Sequence, residues 1–370
     1  MNICFVITGL GMGGAERQVV NLADEMCKMG HNILILVLNK NIIVKPKEGE
    51  VKIEEVNLSK NPFVFVYKLL KTKKIVEQFN PDVVHSHMIH ANIFARLLRI
   101  IANIPFLICS AHNTNEGGLV RQYSYRLTNF LSDLNTNVSG EAVYAFEQKK
   151  IVKKGTMLAI PNGIDTSVFK FSACSRDKIR KYLNICEDTV LFLAVGRLEE
   201  QKDYPLMIKS FSKVVKHSIL ENKKALLCII GTGYLRDSLD NLINSLNLNE
   251  NVILLGLQRN VEEWMSAADY YLMSSKWEGL PLVIAEAMAS KCYVISTDCG
   301  GVREMISNNN QLVPVSDEAL FAEKIISSLE LSSMEKERIV YNEREIVINN
   351  YSIKKAVDLW MNIYNKGCHE

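Results

Sequence analysis

Runs of β-branched and aromatic residues alternate with helix-length segments along the chain, and this alternation constrains the fold more than any other feature. Short strands separated by helices are typical of βαβ units, which build parallel sheets. One series of this kind ends near the middle of the chain, and a second then begins. The candidate strands of the first series are Ile3–Ile7, Ile33–Val37, Val83–His85, Phe106–Ser110 and Asp133–Asn137. Those of the second series are Val190–Val195, Ala225–Ile230, Val252–Leu255, Tyr270–Met273, Tyr293–Thr297 and Gln311–Val313. Helical patterns in the first series include Ala15–Lys28, Phe63–Phe79 and His90–Ala102.

Two complete series in 370 residues predict two domains, because one hydrophobic core seldom supports a chain of this length. The predicted fold class is α/β, with Rossmann-like domains over residues 1–160 and 161–345. If their sheets face each other, a cleft lies at the carboxyl edges, where open α/β sheets bind ligands. The join falls near Ile160–Asp165, where Pro161 and the pair Asn162–Gly163 follow a strand end. In the last segment, 346–370, helical spacing over Tyr351–Tyr364 predicts a helix that packs back on the first domain.

Composition narrows the class of protein. A net charge of only +2 argues against a dedicated nucleic-acid binder. The nine cysteines include no C-x-x-C pair, so they indicate reduced, buried thiols in the cytoplasm and not a disulfide frame or zinc site. The start, MNICFVITGLGMGG, predicts a first strand and not a signal peptide. No apolar stretch is long enough to span a membrane.

Two glutamates, Glu278 and Glu286, stand eight positions apart in SKWEGLPLVIAE. If Pro281 is the first residue of a helix, Glu278 lies in the loop before it and Glu286 lies inside it. The backbone N–H groups at the helix start would then favour an anion, and the carboxylates would suit hydroxyl groups. The N–H groups in question belong to Leu280, Leu282 and Val283. The alternative is an acidic residue that merely complements the helix dipole, with a second glutamate facing solvent.

A glycine loop follows the first strand. Gly9, Gly11 and Gly14 satisfy G-x-G-x-x-G, which by itself is a weak indication of a dinucleotide site. That site also needs a carboxylate at the end of the second strand, where this chain has Leu38–Asn39–Lys40, so a nicotinamide dehydrogenase is disfavoured. The glycines then indicate either close approach to a phosphate or sugar, or a purely structural turn. Glu16, on the first helical turn, is expected to fix the loop.

A basic pair follows the first strand of the second series, in Gly196–Arg197–Leu198 and at Lys202. Arginine offers a planar fork of donors and lysine a mobile charge, and together they can neutralise a diphosphate. No D-x-D triplet, a common metal-binding pattern, occurs in the chain. Arg197 and Lys202 would therefore replace a metal ion. Ordinary solvated loop charges are the alternative for this segment.

Taken in order, these motifs resemble those of the retaining glycosyltransferases of family 4, which have the GT-B fold. The resemblance covers nearly the whole chain. It rests on the segments GLGMGGAERQ, DVVHSHMIHAN, SAHNTNEGG, IPNGID, VGRLEEQKD, IIGTGYLRDSL, LLGL, AADYYLMSSKWEGLPLVIAEAMAS and STDCGGVREMI. One departure is Lys291–Cys292–Tyr293, where family members commonly carry a small residue and a proline after the acidic helix.

The resemblance implies roles for particular residues. Glu286 would bind the ribose hydroxyls of the nucleotide, and Glu278 would lie beside the donor sugar. His112, at a strand end, would lie at the centre of sugar transfer. The remaining matches are on the donor side: Arg197 and Lys202 for the diphosphate, Gly13 and Gly14 for the N-terminal loop, and Gly231 and Gly233 for a turn near the nucleotide. His85, His87 and His90 cluster at the previous strand end without an acidic or cysteine partner, which favours acceptor-side or structural roles over a metal site.

The resemblance implies transfer of a sugar from a nucleotide donor, a UDP-sugar by preference, without metal or cofactor and with retention of configuration. Its front-face path needs no enzymatic nucleophile, in contrast to a double displacement. The helix Phe63–Phe79 combines an apolar face with Lys68, Lys71, Lys73 and Lys74, which suits either an anionic membrane surface or an ordinary solvated helix. On a membrane, the acceptor would be a polyprenyl-diphosphate-linked saccharide of bacterial surface polysaccharide synthesis. Two rival functions are a nucleotide-sugar epimerase of similar fold and a non-catalytic nucleotide-sugar-binding partner subunit.

Overall fold

The computed structural model describes residues 1–59, 61–114, 118–220, 224–306 and 308–369. Asn115, Glu116 and Gly117 of the SAHNTNEGG segment therefore lie outside the described residues. The chain forms two compact units. Unit 1 comprises Met1–Ile164 and Tyr351–Glu370, and unit 2 comprises Asp165–Asn350.

Unit 1 is a parallel α/β unit. Over its described residues the elements are β1 (Asn2–Ile7), α1 (Gly14–Lys28), β2 (Asn32–Val37), β3 (Lys52–Glu55), α2 (Pro62–Phe79), β4 (Val83–His87), α3 (Ile89–Ile101), β5 (Phe106–Ser110), α4 (Leu119–Thr128), β6 (Leu134–Asn137), α5 (Gly140–Gln148) and β7 (Met157–Ala159). A 3-10 turn, Asn129–Leu131, follows α4. The sheet order is β3-β2-β1-β4-β5-β6-β7, and every pairing is parallel.

Unit 2 repeats this plan. Its described elements are α6 (Ala173–Tyr182), β8 (Thr189–Val195), α7 (Tyr204–Leu220), β9 (Lys224–Ile230), α8 (Arg236–Ser245), β10 (Val252–Gly256), α9 (Val261–Ala267), β11 (Tyr270–Met273), α10 (Leu282–Ala289), β12 (Tyr293–Thr297), α11 (Val302–Met305), β13 (Leu312–Val313), α12 (Glu318–Leu329) and α13 (Ser333–Asn350). Short 3-10 turns cover Glu200–Lys202 and Asn309–Gln311. The sheet order is β10-β9-β8-β11-β12-β13, again all parallel.

The final helix, α14 (Ile353–His369), belongs to unit 1. Its residues Trp360, Met361 and Tyr364 are buried in the core that α1 and β1 also line. Where the chain enters and leaves unit 2, its two segments are hydrogen-bonded. The Ile164 N–H donates to the Tyr351 carbonyl at 2.8 Å, and the Ile353 N–H donates to the Ile164 carbonyl at 2.7 Å.

The predicted strands are confirmed, with bounds that differ by at most two residues. Strands β3 and β7 were not among the predicted strands. Both lie at an edge of the first sheet, and the side chains of Lys52–Glu55 and Met157–Ala159 are mostly exposed, so no apolar alternation marks them. In the described part of the chain, no helix combines the length and apolar content that crossing a bilayer requires.

Candidate active site

In unit 2, the loops that follow β8 and β9 touch backbone to backbone. The Gly196 N–H donates to the Ile230 carbonyl at 2.9 Å. Gly231 has a φ of +148°, and a Cβ there would overlap the Gly196 carbonyl. A Cβ on Gly233 would likewise overlap the backbone of Leu198. Gly231 and Gly233 are therefore needed for the close approach of the loop that carries Arg197.

The central feature of unit 2 is a buried ion pair. Nζ of Lys202 lies 2.6 Å from Oε1 of Glu278, and the two side chains are only 16% and 10% exposed. Ser275 donates its hydroxyl to the same oxygen at 2.7 Å, and Gln201 donates from Nε2 to Oε2 at 3.3 Å. The structure thus joins two residues for which the motifs predicted separate roles. Three donors hold the Glu278 carboxylate in one orientation, since charge-assisted hydrogen bonds of this kind are strong.

Arg197 contrasts with Lys202. Its side chain is 70% exposed, and its guanidinium lies 3.0 Å from the carboxylate of Glu199. An exposed ion pair of this kind contributes little to stability. The guanidinium can therefore exchange Glu199 for another anion at small cost.

The helix that contains Glu286 begins one residue later than predicted. Pro281 is the N-cap of α10, with an extended backbone (φ −76°, ψ 94°), and its carbonyl accepts from the Ile284 N–H at 2.9 Å. The proline ring fits this φ as well as a helical one, so its presence did not distinguish the two positions. Leu282 and Val283 are the first two helical residues, whose N–H groups have no partner within a helix. Leu280 lies in the loop just before the N-cap, and the role of its N–H in donor binding stays a prediction.

Both glutamates lie near one buried tyrosine of β11. Glu286, inside α10, is 5% exposed. The hydroxyl of Tyr271 donates to the Val195 carbonyl at 3.3 Å. Burial, and then the nearby Tyr204, Glu286 and Glu278, raise the pKa of Tyr271 well above its ordinary value. Both carboxylates therefore act on one tyrosine hydroxyl, which is neutral and hydrogen-bonded to the last residue of β8.

The loop after β12 supports this edge. Gly300 has a φ of +58°, and a Cβ there would overlap the Glu278 carbonyl. The Gly301 N–H donates to the Gly279 carbonyl at 2.7 Å. Glycine at 300 thus lets the loop pack directly against the residue that carries the ion pair.

In unit 1, the glycine loop follows β1 as predicted. Gly13 is the N-cap of α1, which begins at Gly14. A Cβ on Gly13 would overlap the Glu16 carboxylate, which folds back over the loop. A Cβ on Gly9 would crowd the side chain of Asn39, the residue that stands where a dinucleotide site needs an acid. The interior of this loop is thus filled by side chains of the protein itself.

His112 lies just after β5 at the carboxyl edge of the first sheet. Its Nε2 is 3.0 Å from Nδ1 of His87, and its Nδ1 is 3.4 Å from Nδ2 of Asn162. Burial lowers the pKa of His112 to about 4. The ring is therefore neutral at pH 7, when it can accept or donate a hydrogen bond but carries no charge.

The other histidines of this edge have structural partners. His85 contacts the Tyr364 hydroxyl at 2.6 Å and the Ser110 hydroxyl at 2.7 Å. His90 lies on α3, on the solvent side. Across the described ranges, no group of three or more His, Cys, Asp or Glu side chains is arranged to hold a metal ion.

Sequence reasoning missed the residues that hold the site together. Ser275, Gln201 and Asn162 contact Glu278 or His112, and the Gln201 contact spans 77 positions in the sequence. Gln18 is another, since its Oε1 accepts from the Gly163 N–H at 3.0 Å. The only indication in the sequence was their position. Ser275 lies close along the chain to Glu278, and Gln201 directly precedes Lys202.

Comparisons with known proteins agree with this geometry. The Glycosyltransferase Family 4 model matches residues 12–168, and the Glycosyl transferases group 1 model matches residues 175–346. An uncharacterized glycosyltransferase of Methanocaldococcus jannaschii is 32% identical over 70% of this chain and 68% of its own length. A Campylobacter jejuni enzyme named GalNAc-alpha-(1->4)-GalNAc-alpha-(1->3)-diNAcBac-PP-undecaprenol alpha-1,4-N-acetyl-D-galactosaminyltransferase is 27% identical over 98% of each chain. The crystal structure of Anabaena HepE in complex with UDP has a TM-score of 0.83 and 18% identity, covering 99% of this chain and 100% of the other.

Two parallel Rossmann-like units of this kind define a protein of the GT-B fold. The chain belongs to the glycosyltransferases, with a family 4 segment followed by a group 1 segment. It is therefore an enzyme that transfers a sugar.

Proposed function

We propose that this enzyme is a retaining, metal-independent hexosyltransferase that uses a UDP-sugar and a polyprenyl-diphosphate-linked saccharide in bacterial surface polysaccharide synthesis, such as that of O-antigen or capsule. The observation that carries the proposal is the buried Lys202–Glu278 pair beside the start of α10. It provides a cation for a diphosphate and an oriented carboxylate for sugar hydroxyls in one place.

Donor binding is assigned to unit 2. The N–H groups of Leu282 and Val283 and the side chains of Arg197 and Lys202 bind the diphosphate, as a helix N-terminus and paired cations do. Glu286 accepts hydrogen bonds from the ribose hydroxyls. A uridine nucleotide is preferred because the solved structure of HepE, which shares this fold, contains UDP.

The proposed reaction depends on where negative charge develops as the sugar is transferred. The bond between the anomeric carbon and the phosphate oxygen breaks, and negative charge develops on the leaving diphosphate, where Arg197 and Lys202 stabilise it. The acceptor hydroxyl forms the new bond on the same face and gives its proton to the departing phosphate. Glu278 is a poor nucleophile for double displacement, because Lys202, Ser275 and Gln201 already engage its oxygens. Its role is to orient the sugar, together with His112.

The donor test uses two variants and one matched control. Lys202→Ala and Glu286→Ala should abolish transfer while the far-ultraviolet circular dichroism spectrum stays unchanged. Lys213→Ala, which removes a lysine of unit 2 from an exposed pair with Glu318, should keep full activity. Protection against thermal unfolding by a panel of nucleotide sugars would identify the donor. Full activity of Lys202→Ala or Glu286→Ala would refute the assignment.

Stereochemistry and metal independence are tested on the product. Nuclear magnetic resonance of the new linkage should show the anomeric configuration of the donor, and transfer should be unaffected by excess EDTA. An inverted product, or loss of activity that only a divalent ion restores, would refute these two parts. Conversion of the nucleotide sugar without any acceptor would instead indicate an epimerase.

The membrane part of the proposal rests on exposed apolar side chains of unit 1. On α2, Phe63, Tyr67 and Leu70 are 86%, 64% and 51% exposed, and Lys71 and Lys74 are exposed beside them. A second apolar face follows on α4 and the turn after it, formed by Leu119, Val120, Tyr123, Leu127 and Phe130. An apolar face with basic neighbours suits the surface of an anionic bilayer, where the enzyme would be peripheral on the cytoplasmic side.

Vesicle binding tests this part alone. The protein should co-sediment with phosphatidylglycerol-containing vesicles, and replacing the four lysines of α2 (Lys68, Lys71, Lys73 and Lys74) by glutamine should weaken binding. The control replaces four other lysines of unit 1 by glutamine, namely Lys149, Lys150, Lys153 and Lys154, which are all exposed. Equal binding by both quadruple variants would contradict a specific role for α2.

A further inference from the structure

Both ring nitrogens of His112 are engaged within unit 1. Nε2 lies 3.0 Å from Nδ1 of His87, and Nδ1 lies 3.4 Å from Nδ2 of Asn162. The three side chains come from the carboxyl ends of β4, β5 and β7; β4 and β5 are neighbours in the sheet, and β6 lies between β5 and β7. Residues at the ends of three strands of one sheet therefore contact one histidine ring from both sides.

These contacts determine where the proton of His112 resides. The amide nitrogen of Asn162 only donates, so Nδ1 of His112 accepts and carries no proton. A neutral imidazole has one N–H, which must then be on Nε2 and point at Nδ1 of His87. The proton of His87 is left on its Nε2, a buried atom without a hydrogen-bond partner among the described residues.

The support for His87 is rigid and uncharged. Its side chain is 1% exposed, and its ring centroid lies 4.0 Å from that of His85. The titratable groups that face His87 and His112 are His85 on β4 and Tyr364 on α14. The ring of His85 contacts the hydroxyl of Tyr364 at 2.6 Å. Burial lowers the pKa of His85 and His87 well below the ordinary value and raises that of Tyr364, so all are neutral at pH 7.

We propose that His87 and Asn162 are positioning residues that hold His112 as the neutral Nε2–H tautomer, so that His112 meets the donor sugar as a hydrogen-bond donor. In this role it is neither a general base nor a cation. When the donor binds, the Nε2–H of His112 is shared between Nδ1 of His87 and a sugar oxygen, so the contact with His87 is kept. The inference rests on the proposed function only in placing His112 beside the sugar.

The tautomer is tested directly on the full chain labelled with 15N-histidine. Long-range 1H–15N spectra at pH 7 distinguish a protonated Nε2 from a protonated Nδ1, and comparison with His112→Gln assigns the signal among the seven histidines. We expect the Nε2–H pattern for His112, without titration down to about pH 5. An Nδ1–H pattern or an imidazolium at pH 7 would overturn the proposal.

Paired variants separate positioning from folding. In His87→Asn, the side-chain oxygen can occupy the place of Nδ1 and still accept, so kcat should stay within a few-fold of the wild-type value. In His87→Leu this acceptor is lost, and kcat should fall about tenfold, the usual effect of one lost hydrogen bond. Both variants should keep UDP-induced thermal protection, which depends on unit 2. Equal losses in the two variants would indicate packing alone and overturn the proposal.

Asn162→Asp reverses the hydrogen bond. A carboxylate accepts from Nδ1–H and favours the protonated ring, so the pKa of His112 should rise by about two units from its value of about 4. A new ionisation near pH 6 should then appear in the spectra and in the pH profile of kcat. An unchanged His112 signal would contradict the positioning role of Asn162.

The proposed function can fail separately from the tautomer. If His112→Phe transfers sugar at the wild-type rate, His112 does not act at the sugar, whatever its tautomer. If His112 is not the Nε2–H tautomer, the positioning role of His87 and Asn162 is refuted, whereas the proposed donor binding by unit 2 is unaffected.

Discussion

Glu343 of α13 should make unit 2 less stable as the pH rises. It is 5% exposed, Gln311 donates to its Oε1 at 2.6 Å, and its Oε2 is buried without a partner among the described residues. Burial raises its pKa from 4.5 to about 8. Between these values the native state holds a proton that the unfolded chain has lost, so the free energy of unfolding falls with pH in this window and levels off above it. The shift of about 3.5 units corresponds to about 3–5 kcal/mol.

The matched variant is Glu343→Gln, which keeps an oxygen to accept from Gln311 but does not ionise. Urea denaturation at pH 5.5 and pH 8.5, followed by circular dichroism, measures the free energy of unfolding of both proteins. The wild type should lose about 3 kcal/mol more than the variant between these two conditions, as the shift in pKa requires. Because pH 5.5 lies about one unit above 4.5, the wild type should already be about 1 kcal/mol less stable than the variant there. If the difference between them does not change with pH, Glu343 is not the buried, protonated carboxyl that the structure indicates.

Three further predictions concern the two ligand-binding edges. Gly231→Ala should eliminate UDP-induced thermal protection, because a Cβ overlaps the Gly196 carbonyl, whereas Gly49→Ala, which meets nothing within 4 Å, should be neutral in the same assay. Lys202→Met should lower the free energy of unfolding by about 3 kcal/mol in urea, because it removes the cation that contacts the buried Glu278 carboxylate. Most of that loss should be recovered in the double variant with Glu278→Gln, and a double variant no more stable than Lys202→Met would count against the pair. Trp360→Ala should cost unit 1 about 3–5 kcal/mol by cavity formation and change the 15N signals of His85, and unchanged signals would mean that the indole does not support that ring.

The fold was predictable because most of its strands are buried and carry their own signal in the sequence. Buried strands such as Phe106–Ser110 and Tyr270–Met273 have apolar side chains on both faces, so they stand out in the sequence and were predicted with their correct bounds. Strand β3 has no such signal, because it lies at an edge and pairs through its backbone. The first residue of α10 was misplaced because Pro281 suits the N-cap and the first helical position equally.

The motif residues of the candidate site were predicted from the sequence, but the contacts between them were not. Glu278 and Lys202 were each assigned from local patterns, but their 2.6 Å ion pair depends on how the loop after β8 meets the loop after β11. The same limit applies to His112, whose partner Asn162 lies 50 positions away. Spacing along the chain identifies residues that can reach one sheet edge. Which of them neutralise each other is decided by tertiary packing.

The position of α14 after unit 2 along the chain also has a consequence for synthesis. Unit 2 is contiguous, so all of its residues are translated before α14. The core of the first sheet is complete only after Trp360 and Tyr364 have been translated. During that interval the nascent chain exposes the apolar surface that α14 later covers, next to a unit that can already fold. The first sheet is thus translated before unit 2 but completed after it, and its apolar surface is where a chaperone would protect the nascent chain.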